Sequence, residues 1–95
     1  MSSVIGYLEL ELFIPSARSL KEKRAVVKRV IERLRKKFNV SVSEVGHLDK
    51  WQLALIAVVS VGTDAGVVDA TLESAVNFVE ELLPGGVNSY RKELF

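Results

Sequence analysis

Hydrophobic and polar residues alternate through the first part of the chain, up to the proline at position 15. Glu9 and Glu11 lie between apolar neighbours, and strict alternation of this kind is typical of a β-strand with one buried face. Pro15 ends the predicted strand, because proline has no N–H group to donate to a sheet. The apolar positions of one face are Leu8, Leu10, Leu12 and Ile14.

A helical period follows this strand. Ser19 precedes the first apolar residue of the period and Glu22 comes three residues later, which is the pattern of a capping box. Apolar residues then recur every three or four positions, as on the buried side of an amphipathic helix. These residues are Leu20, Val27, Val30, Ile31, Leu34 and Phe38.

Two further strands are predicted after this helix. Residues 39–46 alternate, and the polar residues 47–50 suit a hairpin loop. Residues 51–61 are largely apolar on both faces, which is typical of a strand in the centre of a sheet.

A second helix and a last strand complete the pattern. The helix is predicted to begin after Thr63 or Asp64 as its N-cap and to stop at the Pro-Gly-Gly sequence of residues 84–86, before a short strand at residues 87–95. The order βαββαβ predicts an α+β, ferredoxin-like fold, in which two helices cover one face of a four-stranded antiparallel sheet. With no linker or low-complexity segment, residues 1–95 are predicted to form a single domain.

Composition narrows the class of protein. The chain has no cysteine, which excludes disulfides, thiolate metal sites and cysteine catalysis. Its first residues lack the basic region and cleavage site of a secretion signal. The longest apolar run, at residues 53–61, is too short to span a bilayer. We therefore expect a cytoplasmic protein that does not enter membranes.

Charge is distributed very unevenly along the chain. Residues 18–37 contain ten basic and two acidic residues, a net charge of +8, whereas the rest of the chain carries −7. The overall net charge of +1 hides this separation. Segregated charge indicates the kind of partner rather than the fold, and a strongly basic segment favours an anionic partner such as a nucleic acid.

Short motifs carry a family resemblance. The sequence E-L-F-I-P at residues 11–15 closes the first strand, and S-L-K-E-K-R at residues 19–24 opens the first helix. F-N-V-S-V-S-E-V-G at residues 38–46 and W-Q at residues 51–52 follow. Together they resemble the YlxP family of small bacterial proteins, over nearly the whole chain. The resemblance implies a ferredoxin-like fold and a gene context beside translation and ribosome-maturation genes, but no established activity and no catalytic residue.

The basic first helix is the leading candidate for a functional site. Its electropositive N-terminus, where cations are otherwise unfavourable, offers N–H groups and the Ser19 hydroxyl to a phosphate. Further cations continue along the helix for about 27 Å at 1.5 Å per residue, which suits several phosphates of folded RNA. The predicted phosphate-binding residues are Arg18, Ser19, Lys21, Lys23, Arg24, Lys28, Arg29, Arg33, Lys36 and Lys37.

The second helix supports a competing interpretation. It carries only acidic charges, and in the predicted fold it runs antiparallel to the first helix. The two helices would then neutralise each other, within one subunit or between subunits, through pairs that are individually weak. The acidic residues are Asp64, Asp69, Glu73, Glu80 and Glu81.

The sheet face that the helices leave open is a second candidate surface. Glu9 and Glu11 on this face would repel phosphates, so it is a poor platform for RNA. Its apolar side chains favour a protein interface, most simply a homodimer, although scattered surface hydrophobes are the equal alternative. The predicted interface residues are Tyr7, Phe13, Ala54, Ile56 and Val58.

Residues for catalysis or cofactor binding are sparse. His47 is the single histidine, and we interpret it as part of a polar hairpin loop rather than as an acid–base group. Glu9 and Glu11 share a strand face and are expected to pair with Arg91 or Lys92 of the last strand. Because the sequence has no phosphate loop, nucleophile motif or metal-ligand spacing, we predict no catalytic residue, cofactor or metal.

Three functions remain open at this level. The first and favoured one is a non-enzymatic accessory factor that binds ribosomal RNA or a ribosomal particle through the basic first helix. The alternative is a self-associating protein-interaction module with no role in nucleic-acid binding, and the third and least favoured is an enzyme that acts on small acidic or phosphorylated molecules. Salt distinguishes the first two, since phosphate binding weakens steeply with salt whereas an apolar interface does not.

Overall fold

The alternating first segment forms an extended strand, and the elements after it follow the predicted order. A computed structural model describes residues 2–95, and the order βαββαβ and the antiparallel sheet are confirmed. The sheet order is β2-β3-β1-β4, with every neighbouring pair antiparallel. The elements are β1 (Val4–Phe13), α1 (Leu20–Lys37), β2 (Ser41–Gly46), β3 (Leu53–Gly62), α2 (Ala65–Leu82) and β4 (Val87–Leu94).

Both helices begin at capping side chains. The Ser19 hydroxyl accepts a hydrogen bond from the backbone N–H of Glu22 at 3.1 Å. The Glu22 carboxylate accepts one from the backbone N–H of Arg18 at 3.2 Å, so the predicted capping box is present with its return bond shifted by one residue. Of the two predicted caps for α2, Asp64 is the one used, and it accepts from the Val67 N–H at 3.1 Å.

The register of β1 against β3 decides which side chains enter the core. Leu8, Leu10 and Leu12 of β1 are fully buried beneath the helices. Residues directly opposite each other in an antiparallel pair lie on the same face, and the residues opposite these leucines are Val58, Ile56 and Ala54. All three are also fully buried.

The predicted assignment of Ala54, Ile56 and Val58 to the open face is therefore wrong. These side chains belong to the core, and the residues of β3 on the open face are those at odd positions. Both faces of β3 are apolar, so its sequence has no alternation that would show which face points inward. Tyr7 and Phe13 lie on the open side, as predicted.

Close packing of α2 on β1 depends on a residue without a side chain. A Cβ atom at Gly6 would lie 2.5 Å from Val68 Cγ1 and 2.8 Å from Leu72 Cδ1. Only glycine lets the two elements approach this closely. α2 lies over β1, β3 and β4, while α1 lies over β2 and β3.

Candidate nucleic-acid interface

Eight of the nine predicted phosphate-binding cations are exposed around α1. They surround the outer side of the helix, because the inner side is occupied by its buried residues. We call these eight residues the basic surface: Arg18, Lys21, Arg24, Lys28, Arg29, Arg33, Lys36 and Lys37.

The basic surface has two flanks rather than one strip. Arg24 and Lys28 line a groove between α1 and β2. On the other flank, the cationic groups of Arg33 and Lys37 lie 6.0 Å and 4.8 Å from the centroid of the Phe78 ring of α2. The cations therefore flank α1 on both sides.

The ninth predicted cation, Lys23, does not belong to this surface. Its side chain is 0% exposed, and its ammonium group donates to the backbone carbonyls of His47 at 2.7 Å and Leu53 at 3.0 Å. It also lies 3.2 Å from a Glu44 carboxylate oxygen. The prediction that Lys23 binds phosphate is wrong, because the residue lies one turn before Val27 on the buried side of α1 and anchors the helix to β2 and β3.

The Ser19 side chain serves as the N-cap of α1. Its hydroxyl oxygen caps the Glu22 N–H, and the Glu22 carboxylate places a negative charge at the same helix end. Both features disfavour a phosphate at the N-terminus of α1. The cations along the helix, rather than the N-terminal amides, are the part of the predicted site that the geometry supports.

We expect Ser19→Ala to lower the free energy of unfolding by about 1 kcal/mol, because the variant loses the N-cap hydrogen bond. Urea unfolding followed by circular dichroism measures the change. Ser16→Ala is the matched control, since Ser16 is exposed in the turn before α1 and caps no helix. Equal stability of the two variants would contradict the capping role.

The acidic residues of α2 do not neutralise the basic surface within one subunit. Asp69 and Glu73 both bind Lys92 of β4, with distances from its ammonium group of 2.7 Å and 2.8 Å. These hydrogen bonds, the one to Asp69 foremost, raise the pKa of Lys92 to about 12. Glu80 accepts from the Gly85 N–H at 2.9 Å. Asp69 and Glu73 therefore face β4, one of the strands on which α2 packs.

The polar groups of the open sheet face bind one another. Arg91 lies 3.4 Å from Glu9, which confirms the predicted pairing of Glu9 with the last strand, and 2.7 Å from Glu93. The prediction that Glu11 pairs with Arg91 or Lys92 is wrong, because its partners are Asn88 and His47. The Tyr7 hydroxyl donates to Glu9 at 2.6 Å, and this bond is the main cause of the raised pKa of Tyr7.

Glu11 has partners that sequence reasoning missed. Asn88 donates to it at 2.6 Å, and the His47 ring nitrogen Nε2 lies 2.9 Å from its second carboxylate oxygen. These hydrogen bonds, first that of Asn88, lower the pKa of Glu11. His47 has a positive φ of 55°, in the left-handed region that residues other than glycine adopt uncommonly. No sequence pattern links residues 36 positions apart, so the pairing was not predictable.

Residues 2–95 contain neither a cluster of metal-binding side chains nor a membrane-spanning helix. No group of three or more histidine and carboxylate side chains there is arranged to hold a metal ion. Neither helix of the described chain is long and apolar enough to cross a bilayer.

Comparison with known proteins gives one family and several structural likenesses. A family model described as "Protein of unknown function (DUF503)" matches residues 5–91. The sequence is 40% identical over 77 residues to the uncharacterised protein YlxP of Bacillus subtilis (strain 168), covering 81% of this chain and 84% of that protein.

Solved structures share only the fold. A dimeric ferredoxin-like protein of unknown function from Thermobifida fusca superimposes with a TM-score of 0.57 at 10% identity, over 100% of this chain and 92% of that one. SnoaB, a cofactor-independent oxygenase from Streptomyces nogalater, gives a TM-score of 0.53 at 12% identity, over 99% and 92%.

Proposed function

The chain belongs to the DUF503 family of proteins of unknown function, which includes YlxP, and we propose that it is a non-enzymatic accessory factor that binds RNA through the basic surface of α1. The RNA is ribosomal, either free or within a ribosomal particle. Nothing in this role requires a cofactor or a reaction.

The observation that carries the proposal is that nearly all cations of the basic surface lack an ion-pair partner. Within residues 2–95, Lys28 is the single member of the basic surface with a carboxylate within 4.0 Å, and that partner is Glu32. Both side chains of this pair are largely exposed, so it stabilises little. The remaining seven cations have no salt bridge within the described residues. Asp69 and Glu73 of α2 bind Lys92 instead, and Glu80 and the cap residue Asp64 accept from main-chain N–H groups.

The distribution of charge also orients the RNA. Glu9, Glu11 and Glu93 lie on the opposite layer of the molecule, where they repel phosphates. A polyanion therefore approaches from the helical side. Arginine and lysine side chains on both flanks of α1 can contact two phosphate backbones, or two segments of one folded strand.

A salt titration of binding to a structured ribosomal RNA fragment, measured by fluorescence polarisation, tests the proposal. If about six cations contact phosphates, the logarithm of the affinity should fall with the logarithm of salt concentration with a slope of about −4 to −5. Binding that is absent at low salt, or that is insensitive to salt, would contradict the proposal.

A further inference from the structure

The two edges of the sheet differ in how they are protected. β2 and β4 are the edge strands, and each has main-chain N–H and C=O groups that no neighbouring strand can bind. On β2 the outward carbonyl of Val42 accepts a hydrogen bond from the Arg35 guanidinium at 2.7 Å. A register shift between Glu44 and Gly46 further interrupts that edge. Both features oppose the addition of another strand to β2.

The edge at β4 is less protected, because its register shift lies at the start of the strand, beside Asn88, and leaves residues 89–94 uninterrupted. Phe95, which directly follows β4, forms two main-chain hydrogen bonds with Ile5 of β1, at 2.8 Å and 3.2 Å. Since successive residues of a strand point their main-chain groups to opposite sides, those of Leu94, Lys92 and Tyr90 point away from β1. The pairing with β1 is regular from residue 89 to residue 94, and the strand contains no proline. A regular, open edge of this length is a site for strand pairing.

We propose that a second copy of this chain pairs with β4 edge to edge, so that two antiparallel β4 strands join the sheets into one of eight strands. A two-fold axis at Lys92 sets the register. It places Arg91 opposite Glu93 of the partner subunit and Tyr90 opposite Leu94 of the partner subunit. The two-fold symmetry gives two copies of each pair. About six main-chain hydrogen bonds form in this register.

Charge and apolar surface both favour this register. Opposite charges directly across two strands stabilise pairing, whereas an axis at Arg91 would place two arginines against each other. Tyr90 and Leu94 are 45% and 43% exposed in the single subunit and would cover each other in the dimer. At the axis the two Lys92 ammonium groups are each held by Asp69 and Glu73 of their own subunit, which offsets their repulsion.

Other occupants of the edge fit less well. Pairing of β4 with a partner's β2 would give an open filament, but Arg35 covers that strand. The open sheet face is also a poorer contact between copies, because it would bring the acids Glu9, Glu11 and Glu93 of both subunits together. In the proposed dimer both α1 helices lie on the same side, roughly 30 Å apart at about 4.8 Å per strand.

Sedimentation of the wild type and of two matched variants tests the inference. The wild type should be dimeric at micromolar concentrations. Glu93→Lys should raise the dissociation constant of the dimer by about tenfold, because it replaces two opposite-charge pairs with like-charge pairs. Glu81→Lys, the same substitution at an exposed position of α2, should leave the dimer unchanged.

A mixing experiment tests the register independently of the stability of any single variant. Arg91→Glu should also weaken self-association, since it places two pairs of glutamates against each other. Mixed with Glu93→Lys, it should form a heterodimer in which both pairs between positions 91 and 93 are opposite in charge, and native mass spectrometry counts that species. A monomeric wild type, equal behaviour of Glu93→Lys and Glu81→Lys, or filaments in place of dimers would overturn the proposal.

Discussion

Replacing Arg29, Arg33 and Lys36 with glutamate should reduce the affinity for structured RNA by at least ~100-fold, which abolishes measurable binding at physiological salt. Each substitution removes a cation that releases counterions when it meets a phosphate, and it adds a repulsive charge in the same place. The three residues lie on α1 where no carboxylate of the described chain pairs with them, so their full charge is available to a ligand.

The fold should survive these substitutions. All three side chains are exposed, and the substitutions disrupt one interaction of α1 with α2, in which Arg33 lies over the Phe78 ring. A cation–π interaction at such an exposed site is worth about 0.5 kcal/mol. Glutamate is a good helix former. Its charge in the last turn, at position 36, opposes the helix dipole and costs about 0.3–1 kcal/mol. Circular dichroism should therefore show native secondary structure in the variant.

A pair of charge-matched variants separates the basic surface from net charge. Arg29→Gln, Arg33→Gln and Lys36→Gln together lower the net charge by three, and should reduce the salt slope by about 2 to 3 units. The control has the same change in net charge on the outer side of α2, through Ala70→Glu, Ser74→Glu and Asn77→Glu, all at exposed positions. The control should keep nearly all of its affinity and its slope. If both variants lose affinity equally, or if the glutamate variant binds like the wild type, α1 is not the RNA-binding element.

Lys23→Ala should destabilise the protein by about 3–5 kcal/mol, the cost of breaking a buried ion pair by removing one partner. The substitution leaves Glu44, whose side chain is 17% exposed, without its cation. It also removes the donor to the carbonyls of His47 and Leu53 at the two ends of the β2–β3 loop. The midpoint of urea unfolding, followed by circular dichroism, measures the effect.

Two companion variants show whether the pair, rather than a volume change, is responsible. Lys21→Ala removes an exposed lysine two residues earlier on α1 and should change the stability by no more than about 0.5 kcal/mol. Lys23→Met combined with Glu44→Leu replaces both charges by apolar groups and should recover part of the stability, because a well-packed apolar pair often equals a buried ion pair. A Lys23→Ala variant as stable as Lys21→Ala would show that the buried interactions contribute little.

Much of the architecture was predictable because it rests on local patterns. Alternation in β1 and the 3.6-residue period of the helices depend on residues a few positions apart. The same holds for the cap at Ser19, where donor and acceptor are separated by three residues. The segregation of charge is also a property of the sequence itself, and most of the cations of α1 had to be exposed because the helix has one apolar side.

At Lys23 the helical period indicated a buried position, but the charge of the residue suggested an exposed one. The residue occupies a core position of the helical period, three residues after Leu20 and four before Val27. A lysine at such a position is normally solvated, and its burial depends on an acceptor set supplied by β2 and β3. Those acceptors come from residues that are 21 to 30 positions away in the chain.

By itself, then, the sequence determined the order of the elements, the capped helices, the buried face of β1 and the cationic exterior of α1. Only the tertiary structure decided which face of β3 is inward, that Asp69 and Glu73 of α2 bind Lys92, and that Glu11 binds Asn88 and His47. The physical reason is the range of the interactions. Periodicity and capping act within a few residues, whereas strand register and ion pairing depend on which distant segments the packed sheet brings side by side.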